Sequence, residues 1–131
     1  MIIAAQEGHV EVTGLLLSGG ADIGQARTDN GATPLFIAAE NGHIEVVDLL
    51  LSGVSNLEQR ISSGWSPLFV ASWSGHVCAV NLLLGAGANK GAASTAAHRG
   101  VAAGSTPLDV ATEMGHSAVV AALRGVLQAA P

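Results

Sequence analysis

The chain has 131 residues, 49% of them apolar but only 3% aromatic, and a formal net charge of −5. That length suits one domain, whose core must be assembled from Ala, Leu, Val and Ile. A single cysteine, Cys78, excludes an internal disulfide framework; no apolar run approaches the ~20 residues of a membrane span; and an N-terminus without a basic region, carrying Glu7 and Glu11, is not a secretory signal. These features suit an intracellular protein, cytoplasmic or nuclear.

In chain order, Ile2-Ile3-Ala4-Ala5 lies within a first helix that ends at Gly8-His9. A second helix carries Leu15 to Leu17, with Gly14 in its middle at about 1 kcal/mol relative to Ala. Thr33 then offers an N-cap, and Pro34 fits the first helical position, where its missing N–H costs nothing. Leu35, Ala38 and Ala39 follow at helical spacing, and Gly42 ends the segment. Ile44, Val47, Leu50 and Leu51 form the apolar stripe of the next helix, with Glu45 and Asp48 outward. The spacing predicts helices over 34–42 and 44–52. The same signals place helices at 67–74, 77–85, 107–114 and 117–127.

These pieces repeat. Gly-His occurs at Gly8-His9, Gly42-His43, Gly75-His76 and Gly115-His116, spaced by 34, 33 and 40 residues. Ahead of three of them stand Thr33-Pro34-Leu35, Ser66-Pro67-Leu68 and Thr106-Pro107-Leu108. Behind three stand the leucine runs 15–17, 49–51 and 82–84. Motifs in fixed order at one period mean stacked like units, none able to bury enough surface alone. A stack offers a long surface rather than an enclosed pocket, which favours binding over catalysis.

Thr-Pro-Leu, the Ala-Ala pair, Gly-His and the leucine run, with the Asn30-Gly31 turn and Gly20-Ala21-Asp22, resemble the ankyrin repeat. The resemblance implies an all-α solenoid of stacked helix-turn-helix units joined by hairpin fingers. Its units would be a truncated first (1–25), a second (26–58), a third (59–92) and a fourth (93–131), in a single domain. The family often has His after Thr-Pro-Leu; here Phe36, Phe69 and Asp109 stand there. The third-to-fourth link carries seven extra residues within Lys90 to Ala103, so one finger is lengthened. That stretch of Ala, Ser and Thr has no apolar periodicity and is expected to be an exposed loop.

The motif histidines lie one repeat apart, too far to share an ion at ~2 Å bond lengths. Their shared place argues for bonds to nearby backbone instead. No nucleophile elbow, phosphate loop or paired carboxylates accompany Cys78 or the histidines, so neither an enzyme nor a cofactor is indicated. Charge is unevenly distributed: residues 1–58 hold eight acids against Arg27 alone, whereas residues 59–108 hold Arg60, Lys90, Arg99 and no acid. Bases this scattered do not make a nucleic-acid surface.

Two tryptophans break the register. Trp65 aligns with Ala32 and Ser105; Trp73 aligns with Gln6, Glu40 and Glu113. Small or polar equivalents suggest surface positions, so at least one of the two reads as an interface anchor. Two alternatives stay open: the inserted finger folds over them, or Trp65 packs on the adjacent unit. The family resemblance implies partner binding through the concave face and finger tips. By register that gives Asp29, Asn30, Ala32, Glu40 and Asn41 in the second unit. The third adds Ser62, Ser63, Trp65, Trp73 and Ser74, and the fourth Ser105, Glu113 and Met114. The expected partner of this monomer is a protein presenting an apolar anchor beside basic residues. The alternative is a regulatory or targeting piece of a larger multidomain enzyme or channel.

Overall fold

A computed structural model describes residues 2–20, 22, 24–26, 28–53 and 56–125. Among them are eight helices: α1 Ile2–Glu7, α2 Val10–Ser18, α3 Pro34–Asn41, α4 Ile44–Gly53, α5 Pro67–Ser74, α6 Val77–Gly85, α7 Pro107–Glu113 and α8 Ser117–Leu123. Odd-numbered helices pack in sequence, α1 on α3 on α5 on α7, and even-numbered ones likewise, α2 on α4 on α6 on α8. The two rows meet within each unit, giving a two-layer stack of four helix pairs. The helices fall where the spacing predicts, to within a residue at most ends. α8 stops at Leu123, and the expected extension to residue 127 passes beyond the described residues after residue 125.

Local chemistry explains the boundaries. The side chains of Thr33, Ser66 and Thr106 accept from the N–H groups of Phe36, Phe69 and Asp109 at 3.2, 3.1 and 3.1 Å. Each thereby satisfies one of the donors that a helix start leaves unpaired. Asp109 returns the favour, accepting from the Thr106 N–H and closing a capping box. At the positions that follow the Pro-Leu steps, Phe36 and Phe69 fill the core, 1% and 0% exposed. After each of the first three outer helices the chain turns through one device: Asp22, Asn56 and Asn89 accept from the N–H two residues on, in Gly24, Glu58 and Gly91.

The core runs through the middle units. α3 and α5 each bury six of eight residues, and Val46, Val47, Leu50, Ala79, Val80 and Leu83 close it from the outer row. At the first unit the packing stops, leaving Ile3 and Leu15 74% and 72% exposed.

The lengthened finger is exposed along most of its length, as expected, but it is internally bonded rather than an open loop. Its base is a hairpin: the Ser94 N–H donates to the Ser105 carbonyl, the Gly104 N–H to the Ser94 carbonyl, and Ser94 Oγ to the Ala102 carbonyl. Ala92, Ser94 and Val101 are buried. Thr95 and Ala96 donate to the Ser63 carbonyl of the preceding finger. That approach is tight, because a Cβ built on Gly64 would lie 2.6 Å from the Thr95 nitrogen. Lys90 at its start donates to the Leu123 carbonyl at the end of α8, where a cation suits the helix dipole. Small polar residues lack periodicity, but they satisfy one another's main chain well enough to pack.

Candidate functional site

Each motif histidine after the first ties its unit to the one before. The Nε2–H of His43 donates to the Gln6 carbonyl at 2.9 Å, that of His76 to Glu40 at 3.1 Å, and that of His116 to Trp73 at 3.0 Å. The imidazole edge lies against the preceding glycine. A Cβ on Gly8, Gly42 or Gly75 would meet the ring of His43, His76 or His116 at 2.6–2.7 Å. These glycines serve twice: each takes a positive φ (71, 71 and 83°), and each clears room for a ring. Among the described residues no three His, Cys, Asp or Glu side chains converge on a common point.

These bonds fix the main chain of Gln6, Glu40 and Trp73 at equivalent places near the ends of the inner helices. Their side chains therefore stand in a register row, with Glu113 fourth. Glu40 and Trp73 are partly buried, while Gln6 and Glu113 are exposed. Between Glu40 and Trp73 comes a residue that register comparison did not single out. Arg99, at the tip of the lengthened finger, ion-pairs with the Glu40 carboxylate. Its guanidinium carbon lies 5.1 Å from the Trp73 ring centroid and 5.6 Å from that of Trp65. Both distances are cation–π contacts. Its neighbour His98 meets Trp65 edge-on, with centroids 5.1 Å apart.

Trp65 corrects the sequence expectation. It is 0% exposed, packed at 4.8 Å from Phe69 and 5.5 Å from Trp73, and roofed by His98 and Arg99. The lengthened finger folds over it. Its indole Nε1 finds no hydrogen-bond partner. Register comparison erred by reading small residues as surface residues. The equivalent Ala32 is itself 2% exposed, and Ser63 is 6% exposed with an unpartnered Oγ. Neither is open to a partner as expected. Of the remaining expected residues, Asp29, Asn41, Ser62, Glu113 and Met114 are exposed, and Asn30, Glu40, Trp73, Ser74 and Ser105 are partly so. Asn30 also shapes its own turn, accepting from the Ala32 N–H.

The missed residues, His98 and Arg99, had one signal in the sequence. The stretch 59–108 carries bases and no acid, and one of those bases, Arg99, pairs with an acid of the preceding stretch across 59 positions.

Stacked helix pairs, fingers and histidine ties define a repeat protein, and the comparisons agree. A family model described as ankyrin repeats, three copies, matches residues 1–94, and the chain belongs to that family. Ankyrin repeats are in general protein–protein interaction modules, typically without enzymatic activity. No curated protein matches the chain. No helix among the described residues is long and apolar enough to cross a membrane.

Proposed function

We propose that this chain binds a partner protein through the face made by the ends of its inner helices and the tips of its fingers. The observation that carries the reading is the register row Gln6, Glu40, Trp73 and Glu113. Histidine ties hold the main chain of its first three members, so the side chains are presented on a rigid backbone. Rigid presentation lowers the ordering cost of association. In this reading Asp29, Asn41, Ser62, Ser74, Glu113 and Met114 make the rim, and Trp73 is the aromatic anchor. Acidic rim residues select a partner with basic residues near its own apolar contact, chiefly by speeding encounter.

The test is site-specific photo-crosslinking. A photoreactive residue is placed at Asn41 or Met114 on the proposed face, or at the exposed Asp48 or Asn81 on the outer helices α4 and α6. Each protein is then exposed to an extract of its native cells. One common adduct from the first pair and none from the second is expected. An adduct confined to the outer-helix positions would refute the assignment of the face.

A further inference from the structure

We propose that Glu40, Trp73 and Trp65 form a receptor for one arginine side chain of the partner, and that Arg99 occupies it as an internal ligand. The inference rests on the proposed binding face and adds to it the chemistry of the bound segment.

The receptor is built from the stack and the occupant from a loop. Glu40 and Trp73 sit near the ends of α3 and α5, and their own carbonyls are held by His76 and His116. Trp65 is wedged in the core against Phe69. By contrast, Arg99 lies outside the hairpin of Ser94, Ala102, Gly104 and Ser105. Around it the main chain is closed by mutual bonds between His98 and Val101 alone. The tip, residues 97–100, can therefore leave while the base stays paired.

Two features mark the closed arrangement as imperfect. Arg99 has φ 51°, a left-handed backbone that side chains other than Gly, Asn and Asp seldom take. Trp65 Nε1–H is buried with no acceptor, although buried polar groups are normally bonded. A partner segment can present the same guanidinium from an extended backbone, without the left-handed conformation at Arg99. The site selects arginine because a planar guanidinium can stack on an indole face while donating sideways to a carboxylate; an ammonium cannot do both. The internal copy acts at the millimolar effective concentration typical of a short tether. It weakens the apparent affinity for any competing segment by the fraction of time the site is closed.

The probe is the finger's own sequence, residues 95–102, as an acetylated and amidated peptide. A control peptide has citrulline, the uncharged isostere, in place of arginine. Both tryptophans of the chain line the site, so intrinsic fluorescence reads its occupancy. The arginine peptide is expected to bind Arg99→Ala at least tenfold more tightly than it binds the parent, and at least tenfold more tightly than the citrulline peptide does. Adding Glu40→Gln should abolish most of that gain. Arg99→Gly, which suits the left-handed backbone, serves as a second opened form should Arg99→Ala lose its helical spectrum. Equal binding of the two peptides to the opened forms, equal binding of the arginine peptide to parent and opened forms, or no binding at millimolar peptide would each overturn the receptor. If that happened while cross-links still fell at Asn41 and Met114, the binding face would stand and only its arginine specificity would be lost.

Discussion

Gly42→Ala measures what the histidine ties contribute. Gly42 has φ +71°, and a Cβ there would lie 2.7 Å from Cε1 and Nδ1 of His76 and 2.9 Å from its Cγ. Gly115 provides an internal control, with φ +75° and nothing within 4 Å of the added carbon. Alanine at Gly115 should therefore cost only the left-handed backbone, about 1–2 kcal/mol, less a few tenths for the reduced freedom of the unfolded chain. Alanine at Gly42 has the same backbone cost and also displaces the imidazole. The bond from His76 to the Glu40 carbonyl is then lost, at about 1 kcal/mol net. Gly42→Ala should thus be about 1 kcal/mol more destabilising than Gly115→Ala in urea denaturation followed by far-ultraviolet circular dichroism. His76→Ala alone should cost about 1 kcal/mol for its lost bond. In the double variant the ring is absent, so the two losses should not add, and a coupling of about 1 kcal/mol should appear. Equal losses at Gly42 and Gly115, or strict additivity in the cycle, would show that the ring and the glycine do not act on one another.

Trp65→Ala should destabilise by about 3–5 kcal/mol, the range for emptying a buried aromatic site, with Trp73→Ala costing clearly less because Trp73 is only partly buried. The reverse order by the same denaturation assay would return Trp65 to the surface role expected from register. Thr106→Ala should cost about 1 kcal/mol and Thr106→Ser almost nothing, since the cap needs only the hydroxyl oxygen; a serine variant as unstable as the alanine one would mean that the methyl group, not the cap, matters.

The sequence by itself determined the stack. Thr33, Ser66 and Thr106 cap helices through bonds spanning three residues, and Gly8, Gly42 and Gly75 end them through their own dihedrals. Such signals are local, so they are legible wherever they occur, and their recurrence gives the period. Even the use of the histidines for backbone bonding followed from their shared place in the motif. That each one reaches back to the preceding unit required coordinates.

The candidate site was legible only in part. Glu40 and Trp73 could be placed by register because their helices are regular, and the side-chain direction of a regular helix follows from position. The finger could not be placed in that way. Its residues carry no periodicity, so nothing local says where the tip goes. Its base is held by main-chain bonds of Ser94, Thr95 and Ala96, and its tip lies where the guanidinium of Arg99 reaches Glu40 and two indole rings. Register comparison assumes that equivalent positions share an environment. An insertion in one unit breaks that assumption for the unit it covers, and Trp65, beneath the lengthened finger, is where it failed. The physical reason is that burial belongs to a residue's neighbours, and the neighbours that cover Trp65 come from another unit of the chain.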